Sequence, residues 1–178
     1  MKKAVVALGG NAIIKPGEDG TISQQFANTR DNLEGIINLV KEGYGLAITH
    51  GNGPQVGNLL LAVEAISEKV APLPLGVLVA ATQGTMGYMI EQSLQNRLKA
   101  EKIEKEAVAI LSQLVVDKED PAIKNPTKPV GPFYTKEEAE KIVNERGWVM
   151  VEDAGRGFRR VVPSPKPTEV VERSTIEK

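Results

Sequence analysis

The apolar residues of the chain follow two rhythms: short unbroken runs, and longer stretches in which they recur every three or four positions. Residues 3–8 carry the run AVVAL, ended by Gly9-Gly10. A run without polar alternation reads as a strand buried on both faces, the mark of a parallel sheet. Residues 11–23 are polar and glycine-bearing and read as loop. From about 24 to 42, Phe26, Leu33, Ile36, Ile37 and Val40 stand at helical spacing, and Gly43 supplies the stop. Residues 46–49 form a second buried run, and His50-Gly51-Asn52-Gly53 a turn. Pro54 suits the first turn of a helix, where its missing N–H costs nothing. Val56, Leu59, Leu60, Val63 and Ile66 give that helix its apolar stripe. Strand, helix, strand, helix predicts an α/β fold with a mostly parallel sheet. After Pro72 and Pro74 the spacing predicts a long helix over 75–99. Its small residues Ala80, Ala81, Gly84 and Gly87 would admit a second backbone, as in a twofold dimer contact, while Met86 and Met89 read as packing. The run AVAILSQLVV, 107–116, predicts one more buried strand.

The rhythm changes after Asp117. Residues 118–134 are proline-rich with little periodicity and read as loop. Thr135-Lys136-Glu137-Glu138 is a capping box opening a short charged helix that stops at Gly147. Residues 148–152 and 158–162 predict two strands joined as a hairpin. The segment 118–162 therefore reads as a small protruding subdomain, and Pro163-Ser164-Pro165-Lys166-Pro167 as a stiff return linker. Ser174-Thr175-Ile176-Glu177 matches another capping box. It reads either as a helix start with no helix behind it, the chain stopping in mid-architecture, or as a polar tail.

Composition narrows the chemistry. Twenty-two Lys and Arg against 23 Asp and Glu give a net charge of −1, without the basic excess a nucleic-acid partner calls for. There is no Cys and a single His, so thiolate chemistry, disulfides and His-cluster metal sites are excluded. No apolar run approaches the roughly 20 residues of a membrane span. The N-terminal apolar stretch is too short for a signal peptide, so a cytoplasmic protein is expected. Aromatics are only 4%, while Gly reaches 17 and Pro 11, which favours sites built from backbone.

Two glycine turns fit that description. Gly9-Gly10-Asn11 follows the first strand, and Gly51-Asn52-Gly53-Pro54 follows the second and opens a helix. In open α/β sheets ligands bind beyond the carboxyl ends of the strands. Backbone N–H groups at such turns bind anions, and Asn11 and Asn52 add neutral donors. The turns match neither the dinucleotide pattern nor the phosphate-binding P-loop. His50 reads as a packed residue, with a general base or phosphate ligand as the alternative. Arg156, Arg159 and Arg160 read as a solvated or ion-paired face, with a phosphate clamp as the alternative. Lys128, held between Pro126 and Pro129, is either a preplaced cation or an exposed loop lysine.

Five segments together carry a resemblance: VVALGGNA (5–12), THGNGPQVGN (49–58), VDKEDPA (116–122), NPTKPVGPFYTKEEAE (125–140) and GRGFRRVVPSP (155–165). With them the chain closely resembles the carbamate kinases, a branch of the amino acid kinase family. The glycine turns alone point to the wider family; the Lys128 and GRGFRRVVPSP segments point to this branch. The resemblance implies a three-layer αβα sandwich around a mainly parallel sheet, with 1–117 and 163–178 as its N-terminal, carbamoyl phosphate side. It implies a protruding subdomain at 118–162, a homodimer formed through the N-terminal half, and a place in arginine metabolism. It implies reversible phosphoryl transfer between carbamoyl phosphate with ADP and carbamate with ATP, using Mg2+. Gly9, Gly10, Asn11, Gly51 and Asn52 would then hold carbamoyl phosphate or the transferring group, and Lys128 would be a catalytic lysine neutralising it. Members of the family continue well past position 178, and the nucleotide site lies in that further half, so a truncated chain is expected. Two other readings remain: a non-catalytic fragment that binds small anions or dimerises, and another amino acid kinase such as acetylglutamate kinase, which leaves the Lys128 segment unexplained.

Overall fold

The structure, a computed structural model, describes residues 2–15, 17–66 and 68–177. Its elements run β1 (Lys3–Leu8), α1 (Gly10–Ile13), α2 (Ile22–Asp31), α3 (Leu33–Lys41), β2 (Gly45–His50), α4 (Gly53–Ala65) and α5 (Leu75–Ala100). They continue with β3 (Leu114–Val116), α6 (Pro121–Lys124), β4 (Lys128–Tyr134), α7 (Lys136–Arg146), β5 (Met150–Glu152), β6 (Phe158–Val162), β7 (Pro167–Val170) and α8 (Arg173–Ile176). This is a mixed α/β chain forming two compact units, Met1–Asn52 with Ala81–Leu111, and Gly53–Ala80 with Ser112–Lys178. Among the described residues no helix is long and apolar enough to cross a membrane.

In the first unit β1 and β2 pair in parallel, from Lys3 opposite Gly45 to Leu8 opposite His50. The helical stripe read from the sequence covers this pair. Leu33, Ile36 and Ile37 are buried with Leu8 and with Ile90, Leu94 and Leu98 of α5. Burying each such side chain contributes about 1.5–3 kcal/mol. Met86 and Met89 are packed inward against Ile13, Ile14 and Phe26, as core residues.

Two expectations for this unit fail for local reasons. The single helix over 24–42 is two. Thr21 caps α2 with a full capping box to Gln24. Asn32 then interrupts the helix, its side-chain amide donating to the carbonyls of Ala12, at 2.9 Å, and Asn28, at 2.8 Å. An Asn amide that bonds backbone competes with the helical ladder. The strand over 107–116 shrinks to Leu114–Val116. Side chains of α5 take its backbone donors instead: Gln95 accepts from the Ala107 N–H and Glu91 from the Ala109 N–H.

In the second unit α4 packs on β4, with Val56, Leu60, Leu78, Val130 and Val162 as the buried cluster. The predicted hairpin forms as β5 and β6, and β4 adds to β6 in a three-stranded antiparallel sheet of order β4-β6-β5. The capping box at Thr135 and the left-handed stop at Gly147, with φ of 66°, both form. Residues 118–134 are not all loop: α6 and β4 occupy much of them. Prolines 129 and 132 are tolerated because β4 is an edge strand. The stretch after the linker is also a strand, β7, antiparallel to β3. The capping box expected at Ser174 does not form; the N-cap of α8 is Glu172, two residues earlier.

Candidate functional site

The two parallel strands end level. Leu8 stands opposite His50, and the Gly51 N–H donates to the Leu8 carbonyl at 3.4 Å. Gly9-Gly10 and Gly51 therefore leave the same edge of the same strand pair. Gly9 is the N-cap of α1 in an extended conformation, φ −70° and ψ 165°. Asn11 lies in that one-turn helix; its side chain is outside the described part of the structure. Gly53 opens α4.

What these glycines lack is informative. A Cβ at Gly9, Gly10, Gly51 or Gly53 would meet nothing within 4 Å. None of the four is among the glycines with positive φ, unlike Gly43 or Gly147. Neither packing nor backbone conformation inside the chain calls for glycine here. Glycine there leaves the backbone bare to close approach by another molecule.

Asn52 is fixed from behind. Its side-chain amide donates to the hydroxyl of Thr82, at 2.8 Å, and Thr82 is a buried polar residue of α5. Thr82 is a neighbour of the candidate residues that the sequence reading missed. Its signal is positional: it stands four residues after Leu78 and four before Met86, both buried, on the inward face of α5. His50 is half-buried, and its Nδ1 lies 3.3 Å from the carbonyl of the adjacent Gly51, a local contact in keeping with the packed reading.

Lys128 belongs to the second unit. It is the first residue of β4, opposite Val162 and exposed. It is therefore anchored on a strand rather than carried by a loop, and proline on either side limits its freedom further. The arginines of the hairpin are engaged with acids and aromatic rings. Arg159 donates to Asp153 at 3.1 Å and Arg156 pairs with the same carboxylate at 3.5 Å, while both guanidinium groups lie over Phe133. Arg160 pairs with Glu64 of α4 and stacks on Trp148 at 4.1 Å. The ion-paired reading holds for all three. A cavity of about 10 Å³ beside Gly57, Gly131, Tyr134 and Trp148 has room for a single water, not a substrate. Burial there raises the Tyr134 hydroxyl pKa, with smaller effects of Arg146 and Arg160 lowering it and of Glu64 and Glu138 raising it.

No family model matches the chain. It is similar to the carbamate kinase of Pyrococcus horikoshii, 49% identical across 99% of this chain and 57% of that protein. The carbamate kinase of Trichomonas vaginalis is 51% identical across 98% of this chain and 56% of its own length. Among solved structures, carbamate kinase from Giardia lamblia bound to citric acid superimposes with a TM-score of 0.91 at 41% identity, over 99% of this chain and 57% of that one. The same enzyme bound to AMP-PNP gives a TM-score of 0.83. The chain thus spans a little over half the length of the curated relatives it matches.

Proposed function

We infer that this chain, homologous to the N-terminal portion of carbamate kinases, supplies the carbamate and phosphoryl side of their reaction. In the ATP-forming direction an oxygen of the ADP β-phosphate attacks the phosphorus of carbamoyl phosphate. The bond from phosphorus to the carbamoyl oxygen breaks, and carbamate leaves with the electron pair. Negative charge spreads over the transferring oxygens, so the protein's work is positioning and charge stabilisation. Gly9, Gly10, Asn11 and Asn52 would offer neutral donors to that group, Gly51 would let it approach bare backbone, and Lys128 would bring a cation. The nucleotide is held mainly by the part of the relatives that this chain does not span. Mg2+ would accompany the nucleotide phosphates; among the described residues no cluster of three or more His, Asp or Glu could hold a metal ion. We assign the whole enzyme to a cytoplasmic homodimer.

The observation that carries this reading is the open space in front of three glycines, Gly9, Gly10 and Gly51, at the ends of two parallel strands. The test is a titration of the isotope-labelled chain with carbamoyl phosphate, followed through the amide signals of Gly9, Gly10 and Gly51. Carbamoyl phosphate should move them and N-acetylglutamate should not. Unmoved glycine amides at saturating carbamoyl phosphate would overturn the assignment, and a response to N-acetylglutamate alone would transfer it to the acetylglutamate kinases.

A further inference from the structure

We propose that Gly57 is a positioning residue for Lys128, acting through the backbone bulge at Gly131; the proposal rests on Lys128 being the lysine that neutralises the transferring group. Gly57 is buried on α4, about 6 Å along the helix from Gly53 at 1.5 Å per residue. A Cβ at position 57 would stand 2.3 Å from the Gly131 nitrogen and 2.4 Å from its Cα. Those atoms are main chain and have no rotamer with which to yield. Any side chain at 57 must therefore push α4 and β4 apart, by roughly 1 Å, and displacements on that scale can cost about a hundredfold at a preorganised site.

Gly131 is held on its other side as well. Its φ of 77° lies in the left-handed region, and the pairing of β4 with β6 shifts register between Val130 and Tyr134. Its carbonyl accepts from Arg159 Nε at 3.0 Å, and Arg159 is in turn held by Asp153. The bulge is thus gripped between a guanidinium and the bare backbone of a helix. Bulges re-aim the side chains around them. Lys128 stands three residues back on the same strand, about 10 Å away at strand rise. Val130 and Val162, the latter directly opposite Lys128, pack in one buried cluster with Val56, the neighbour of Gly57. These contacts give the Lys128 backbone one place relative to the first turn of α4.

The test is a double-mutant cycle on the 178-residue chain, reading the dissociation constant of inorganic phosphate by amide shifts. Lys128→Ala should weaken binding by about fivefold or more, Gly57→Ala by a similar factor, and Lys128→Ala on top of Gly57→Ala by less than about twofold, the non-additivity of coupled residues. Wild-type affinity in Gly57→Ala, or losses that simply multiply, overturns the positioning role and leaves Lys128 standing. No loss from Lys128→Ala alone overturns the role of Lys128 itself. Glu64→Gln, which weakens the tie between α4 and Arg160 at the other end of the helix, should keep the full Lys128 effect; its disappearance there would mean general loosening and would overturn the proposal. Arg159→Lys keeps the charge but loses the Nε bond to the Gly131 carbonyl. It should also shrink the Lys128 effect, and it decides the question if Gly57→Ala does not fold; an undiminished Lys128 effect in this variant counts against the proposal.

Discussion

Asn52 and Thr82 form a hydrogen bond of 2.8 Å that ties the second glycine turn to the buried face of α5. An amide left without its partner is free to rotate, so the bond decides where the Asn52 donors point. Thr82→Val keeps the shape and removes the acceptor. We expect a stability loss on the order of 1 kcal/mol and weaker phosphate binding, with Thr82→Ser close to wild type. Equal phosphate affinity for the valine and serine variants, measured by titration, would show that Asn52 needs no tether.

Lys128 is exposed at the head of an edge strand, so removing its ammonium should disturb little else. In an enzyme joining this segment to the remaining length of its relatives, Lys128→Ala should lower phosphoryl-transfer efficiency about tenfold to a thousandfold. Arginine should restore only part, because its planar fork approaches an anion differently from an ammonium. Steady-state kinetics with kcat and KM both unchanged in the alanine variant would remove Lys128 from the mechanism.

How much of this was visible in the sequence depends on who claims the backbone donors. The runs at 3–8 and 46–49 form parallel strands with level ends, as expected, but β1 is not buried on both faces, Val5 being 73% exposed. The run at 107–116 has the same apolar character, yet Gln95 and Glu91 take the N–H groups of Ala107 and Ala109, and side-chain reach across a fold leaves no trace in periodicity. The break at Asn32 is hidden for a similar reason: the apolar spacing continues through it while its amide bonds Ala12. Strand β4 was masked by its own prolines, which an edge strand tolerates. The approach of Gly57 to Gly131 is invisible because each glycine has an ordinary local excuse, one in a helix and one in a turn-like segment.

The expectation of a dimer contact along α5 can be tested cleanly at Gly84. A Cβ there meets nothing within 4 Å of its own chain, and Gly84, Thr85 and Tyr88 are exposed along one side of the helix. Gly84→Leu should therefore leave the folded subunit intact and block a second backbone. Sedimentation velocity should show monomers for the variant where the unaltered protein is dimeric. A dimer persisting in Gly84→Leu would move the contact elsewhere.

The 178-residue chain by itself should not make ATP from carbamoyl phosphate and ADP at an enzymatic rate. It spans 57% of the Pyrococcus horikoshii enzyme's length. Phosphoryl transfer requires donor, acceptor and metal to be held in line, so a site that grips only one partner loses most of the acceleration. A coupled assay on material verified by mass decides it. Turnover of roughly 1–100 per second would show that this length carries a complete active site.

Acid should open the second unit first around β3 and β7. Asp120 accepts the N–H of Ala122 through one carboxylate oxygen and the N–H of Lys166 through the other, both at 2.8 Å. The Ala122 bond first, then the Lys166 bond, lowers its pKa, with a smaller opposing effect from burial. Glu172 is lowered in the same way, by the backbone N–H of Gln113 and then its side-chain amide. The Ala122 bond is a local cap of α6, but the Lys166 and Gln113 bonds bind the segments flanking β3 to those flanking β7. A carboxylate whose pKa is lower folded than unfolded stabilises the fold at pH above its unfolded value, about 4 for Asp and Glu. That contribution is lost as pH falls through the folded value, because the unfolded chain then binds more protons. Asp120→Asn removes the charge at every pH. Its melting temperature should therefore lie below wild type at pH 7, and the gap should close progressively below about pH 4. A gap of constant size from pH 7 down to pH 2 would mean that the Asp120 charge contributes nothing and that only the shape of its hydrogen bonds matters.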